Sequence, residues 1–175
     1  MKTKFYLPII TLFFLVSSCN IIDDLLTFTI DNQTTFKITS GFPLGTAFSV
    51  VTPEVTTNSS STFENNNTKA DLVKDVTLTS LKLSITDPTD KTFSFLKSVT
   101  LYISTDANDE IEIAYLDNIN STSNTIDLIP NPAKLDRYIK ASSYRIRTKS
   151  VIKESLTQDI SIKADMKFKV TASPF

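Results

Sequence analysis

The chain contains no histidine and no tryptophan, only two glycines and a single cysteine. Without histidine there is no imidazole for general acid–base catalysis, and no Ser-His-Asp or Cys-His nucleophile system. Zinc sites built on His and Cys are excluded for the same reason. With glycine only at positions 41 and 45, no Gly-rich phosphate loop can form. One cysteine, Cys19, means no intramolecular disulfide, so the fold must rest on its core. No cofactor is expected. A Ser-Lys or two-carboxylate hydrolase stays chemically open, but no motif for either is present.

Long apolar runs are also scarce, and the one that exists is at the start. Lys2 and Lys4 precede an apolar stretch from Phe5 to Val16, and then come Ser17, Ser18 and Cys19. A positive n-region, an apolar run of about a dozen residues and small residues beyond it have the form of a secretory leader. The run is too short to span a bilayer as a helix. Val16-Ser17-Ser18-Cys19 resembles the lipobox of bacterial lipoproteins, in which the cysteine is acylated and the chain is cut on its N-terminal side. The resemblance implies a leader over 1–18, a lipid on Cys19 and a tether over 19–26. A thiolate is a competent nucleophile for such a transfer. The implied partner is a membrane, held through the lipid on Cys19. Asp23 and Asp24, just beyond it, resemble the export signals of surface lipoproteins in the Bacteroidota. The implied location is the cell envelope, at the outer membrane, on its periplasmic or its surface side.

Removing 1–18 takes away two lysines, leaving sixteen basic and nineteen acidic residues, a net charge of −3. That balance argues against nucleic acid as a partner.

From Leu26 onward the chain alternates in short apolar runs separated by turn residues. Phe28, Ile30, Phe36 and Ile38 keep one phase across Asp31-Asn32-Gln33, which predicts one long strand with a polar waist. Gly41 and Gly45 bracket the turn that ends it. Pro53 marks Ala47–Thr56 as an edge strand or a bulged one. Residues 57–68 are almost wholly polar, with Phe63 alone apolar, and read as a mobile loop or minor edge strand. Val76 and Leu78 share a phase that switches to Leu81, Leu83 and Ile85, the mark of a bulge or a crossing between sheets near Thr79-Ser80. Further strands follow at Phe93–Ile103, with a kink at Leu96-Lys97, and at Ile111, Ile113 and Tyr115, which are expected to point inward. Ile126 and Leu128 begin another. Tyr144, Ile146 and Thr148 form the inward set of the next strand, and Ile160 to Val170 that of the last. Asn131-Pro132 suggests an N-cap with proline at the first helical position, and Leu135, Tyr138 and Ile139 share one helical face. The expected fold is all-β: a two-sheet antiparallel immunoglobulin-like β-sandwich over 27–175, with one short helix near 132–140. The runs TFSFLKSVTLYIS, EIEIAYLD and LDRYIKASSYRIR resemble small β-sandwich envelope lipoproteins of uncharacterised function, which bring no catalytic motif.

Charge is distributed unevenly. Residues 134–171 carry a net +6 and residues 20–133 a net −9. Arg145, Arg147 and Lys149 alternate with the inward set of one strand, and Lys163, Lys167 and Lys169 with that of the last. A short connection over 150–156 would make these strands antiparallel neighbours, presenting about six cations on one face. That face would suit an anionic partner, whether a lipid headgroup, an acidic glycan or an acidic protein surface. The plainer alternative is a solvated face, neutralised by Glu110 and Glu112 from a neighbouring strand. Asp106, Asn108, Asp109 and Glu110 are oxygen ligands in one turn, but they lack the central glycine and distal glutamate of a calcium loop. The phenylalanines, twelve in all, fit a packed core better than an apolar ligand cavity. The function expected is a lipid-anchored envelope module that binds or supports a partner. The alternatives are a carrier or chaperone for an apolar ligand between the sheets and, less favoured, a carboxylate-based hydrolase.

Overall fold

The structure, a computed structural model, describes residues 26–173. The expected leader, Cys19 and the tether up to residue 25 lie outside the described residues. Nine strands dominate: β1 (Thr27–Ile38), β2 (Ala47–Val51), β3 (Val55–Thr56), β4 (Val73–Asp87), β5 (Leu96–Ser104), β6 (Ile111–Leu116), β7 (Thr125–Pro130), β8 (Ser143–Ile152) and β9 (Ile160–Ala172). Among the described residues there are also two short helices, α1 (Ser59–Asn65) and α2 (Asp136–Lys140), with single 3₁₀ turns before β4 and β5. Among the described residues no helix is long and apolar enough to cross a membrane.

The all-β expectation holds, but the immunoglobulin-like two-sheet sandwich does not. The strands run in one hydrogen-bonded order, β1-β9-β4-β7-β6-β5-β8-β2, with β3 also on β8. Every pairing is antiparallel. The strand that joins what would have been two sheets is β7. Leu128 and Ile126 pair with Leu81 and Leu83 of β4, while Pro130 and Ile129 pair with Ala114 and Tyr115 of β6. The result is a single sheet curled onto itself. Its inward side chains form one core, in which Leu83, Leu101, Ile103, Ile146, Ile162 and Phe168 are fully buried.

Bulges supply the bending. The register of β4 against β9 shifts at Val73/Asp75, Leu78/Ser80 and Ile85/Asp87, and the middle shift is the one the phase break at Thr79-Ser80 predicts. Thr79 donates its hydroxyl to the Lys167 carbonyl there. β5 slips at Leu96/Ser98 against β8, where a kink is expected at Leu96-Lys97. One bulge goes unseen in the sequence. Leu101 faces Ala114 and Tyr102 faces Glu112, so Ile113 is the extra residue in β6. The inward phase flips there. Ile113 and Ala114 are both buried, and Tyr115 pairs with Thr100 on the outer side instead of pointing inward.

The polar waist of β1 is real, and the strand runs unbroken through it. Asn32 faces inward and donates to the Tyr144 hydroxyl at 3.0 Å, which gives the buried phenol a partner. Both glycines are in the left-handed region (φ 92° and 71°), as the turn after β1 requires. Pro53 separates β2 from β3 at the end of the sheet, as the sequence implies.

Two helical expectations need correction. Residues 59–65 are not a mobile loop but α1, because Phe63 is driven into the core and packs edge-on to Phe28. The Asn58 carbonyl accepts from the Thr62 backbone and from the Ser61 and Thr62 hydroxyls, which holds the polar side of the helix. The second helix begins at Asp136, not Pro132, since Asn131 has another use. Its N–H donates to the Ile113 carbonyl and its amide to Glu112 Oε1, extending the sheet instead of capping a helix. Leu135, Tyr138 and Ile139 still share the buried face.

Phe168 is fully buried on β9 and meets Tyr144 edge-to-face, with centroids 6.4 Å apart. Phe168→Ala should therefore cost about 3–5 kcal/mol in urea unfolding, whereas Thr122→Ala, in an exposed loop, should cost under about 0.5 kcal/mol. Equal shifts for the two would contradict the core described here.

Candidate functional site

The alternation that puts Arg145, Arg147 and Lys149 outward on β8, and Lys163, Lys167 and Lys169 outward on β9, holds along both strands. Their adjacency does not. β8 lies between β5 and β2, and β9 between β1 and β4. The connection over 153–159 passes from one wall of the curled sheet to the other. The Tyr144–Phe168 contact shows that the two strands face each other across the core. Inward faces that meet have outward faces that diverge, so the six cations form two clusters and not one patch.

Most of these cations are matched locally. Arg147 donates from Nε (2.8 Å) and an Nη (2.6 Å) to the two carboxylate oxygens of Glu110, and its guanidinium sits 4.1 Å above the Tyr102 ring. A further bond of 3.1 Å reaches Ser49 on β2. The planar fork suits both the bidentate pair and the ring. Hydrogen bonding to Arg147 holds the Glu110 carboxyl below its usual range despite partial burial. Arg145 reaches Glu54 at 3.4 Å, Lys163 reaches Asp165 at 2.9 Å, and Lys167 reaches Asp31 at 3.6 Å. Of the six, only Lys149 and Lys169 make no ion pair among the described residues. Of the two glutamates considered as neutralising partners, Glu110 pairs with Arg147 alone, and Glu112 accepts from the Asn131 amide instead.

The acidic turn between β5 and β6 is organised around a buried Asp109. Its carboxylate accepts the backbone N–H groups of Thr105 (2.9 Å) and Asp106 (3.0 Å) and the Thr105 hydroxyl, and it meets Arg137 of α2 at 3.3 Å. Burial works against its ionisation, yet these donors together keep the carboxyl below its ordinary value. The Tyr138 hydroxyl donates to the Asp109 carbonyl, and Lys140 donates to the Val73 carbonyl, so α2 closes one end of the curl. Asp109 thus spends its oxygens on the protein itself. Among the described residues no group of three or more acidic side chains is placed to hold a metal. Sequence reasoning sees the acidic cluster but misses Thr105, four residues away in the same turn, and Arg137, whose role depends on a helix docking from about thirty residues away.

The phenylalanines fill space as core. Phe63, Phe93 and Phe168 are fully buried, and Phe93 lies 6.2 Å from Phe95. Two clefts open at the surface. One, of about 240 Å³, is lined mainly by polar residues from 90–94 and 154–158, with Phe95, Leu156 and Ile160 among them. Another, of about 480 Å³, lies where β1 and β2 approach each other, between Phe36, Lys37, Val50, Val51 and Pro53.

Two substitutions probe the turn. The Asp109 pKa lies below its ordinary 3.8, so its stabilising contribution is full above that value and fades as pH falls through the lower folded value. Asp109→Asn should cost about 1.5–3 kcal/mol at pH 7, and the gap from the unaltered chain should narrow in strongly acid solution. Arg147→Ala, on a partly exposed pair, should cost no more than about 1 kcal/mol. Urea unfolding across a pH series measures both.

No family model and no curated protein matches this chain. Solved structures align over most of it at low similarity. FLHE is 7% identical over 83% of this chain and 97% of its own, with a TM-score of 0.34. The capsid protein of BFDV, a decamer, is 10% identical over 83% and 98%, with a TM-score of 0.38. The Desmodium yellow mottle tymovirus structure is 15% identical over 85% and 89%, with a TM-score of 0.31. At these scores the likenesses carry no inference about what the chain does.

Proposed function

We propose that the chain is a lipid-anchored module of the bacterial cell envelope, held at the outer membrane through Cys19, that binds or supports another envelope component. The observation that carries the location is the succession of Lys2 and Lys4, the apolar run to Val16, and Val16-Ser17-Ser18-Cys19. A side-chain-filled core, with two clefts that open at the surface, supports a module that works through its exterior, more than a carrier with cargo between its walls.

The anchor also gives the molecule an orientation. The tether over 20–26 reaches at most roughly 25 Å and feeds directly into the start of β1. The end carrying α1, α2 and the β5–β6 turn then lies toward the membrane. β1 rises about 40 Å from there. The loops at 39–46, 88–92, 117–124 and 153–159 lie at the far end, facing away from the lipid.

Cys19→Ala should abolish incorporation of a fatty-acid analogue and release the protein from the membrane fraction into the soluble one. Undiminished labelling of that variant would refute the assignment.

A further inference from the structure

The segment around α1 is tied to the rest of the molecule in an unusual way. Among the described residues, every hydrogen bond made by residues 58–68 closes within 57–68. Glu64, the segment's only charged side chain, makes no ion pair there. Its single apolar side chain is Phe63, which is fully buried and meets the Phe28 ring edge-on at 6.2 Å. One aromatic ring therefore carries most of the attachment.

The chain on either side is pinned. Thr57 donates its N–H to the Ser142 carbonyl at 3.1 Å and its hydroxyl to the Ala141 carbonyl at 2.6 Å. Beyond the segment, the Leu72 carbonyl accepts from the Ser173 N–H at 2.7 Å. Between these two pins nothing but packing opposes a movement of 58–68.

Three features weigh against the closed arrangement. α1 reads SSSTFEN, with Glu64 alone among strong helix formers and no side-chain cap from Asn58. A helix this short and this poor in propensity does not stand alone in water, so it persists only while Phe63 is seated. Asn58 (φ 49°) and Asn67 (φ 54°), one on each side of α1, hold the left-handed backbone that costs any residue but glycine. The Thr68 hydroxyl is buried without a hydrogen-bond partner, a loss that exposure to water would repair.

We propose that residues 58–68 form a lid that opens as one unit while the sheet stays folded. Opening lifts Phe63 from its seat, melts α1, returns Asn58 and Asn67 to ordinary backbone and lets water reach Thr68. Phe28 is the second residue of β1, so the seat that is bared is apolar and lies at the end of the curl where the chain enters from the tether. The movement does not depend on the anchor.

The test is hydrogen exchange of the full chain in detergent, read by mass spectrometry over urea concentrations below the unfolding transition. Relative to their intrinsic rates, the amides of 62–68 should exchange at least about a hundredfold faster than those of β4 and β9. Their rates should respond little to urea, because the opening exposes little surface. Phe63→Ala should bring these amides close to intrinsic rates and leave β9 protected. It should also lower the urea midpoint far less than Phe168→Ala, although both rings are fully buried. The reason is a ceiling: a chain that can leave its lid open and keep its sheet loses no more than the free energy of opening. Exchange of 62–68 with the rate and urea dependence of β9 would overturn the proposal. So would an equal loss of midpoint in the two alanine variants, or loss of β9 protection in Phe63→Ala, since α1 would then belong to the cooperative core. Failure of Cys19 labelling would leave these rates untouched, so the two readings fall separately.

Discussion

A β-sheet with no layer of helices over it can remove its apolar face from water only by folding that face onto itself, and among the described residues this requirement shapes the structure. α1 and α2 span seven and five residues, too few to cover nine strands. No disulfide is available to hold two separate sheets together. The chain meets the requirement by bending. β4, fifteen residues long with three register shifts, turns the sheet, and β7 carries the hydrogen bonding from one wall to the other. β9, paired along its length with both β1 and β4, is the rigid wall against which the rest closes. Polar groups caught inside are then obliged to find partners. Asn32 with Tyr144, and Asp109 with Thr105 and Arg137, are both answers to that demand.

Closing a sheet on itself also redistributes its charge. In a flat sheet the outward cations of neighbouring strands would add up on one face. In a curled one, strands that meet across the core send their outward side chains apart. The β8 and β9 cations therefore divide, and four of the six find a carboxylate nearby: Arg147 and Arg145 meet Glu110 and Glu54 on one side, Lys167 and Lys163 meet Asp31 and Asp165 on the other. Local pairing of this kind adds little to stability where both partners are exposed. Its effect is to replace a single strong field by short-range pairs.

Among the described residues, β1 and β2 are the two ends of the strand order, and the seam lies between them. Most strand edges in the molecule are consumed by the continuous order, and α2 and the β5–β6 turn cover one end. β1 and β2 remain as facing edges. Pro53 and the shortness of β2 protect one of them, while the twelve-residue β1 has no such interruption. The sheet therefore stops short of closing, with a cleft at the seam between Phe36, Lys37, Val50, Val51 and Pro53.

Much of this was legible in the chain by itself. Absences set the chemistry: no histidine and two glycines leave few catalytic designs. Period-two alternation gave the inward residues of β1, β4, β8 and β9, because a buried sheet face enforces its pattern residue by residue. The phase break at Thr79-Ser80, the turn at Gly41–Gly45 and the interruption at Pro53 are local backbone events, and local sequence encodes them. What the chain did not reveal depends on which strands become neighbours. The division of the basic residues, the flip of Tyr115 at the Ile113 bulge and the meeting of Asp109 with Arg137 all arise from pairings distant in sequence. Phe63 made the same point on a small scale, since one apolar residue in a polar tract has no period to read. Its burial, and α1 with it, was decided by a space in the core that only the assembled sheet creates.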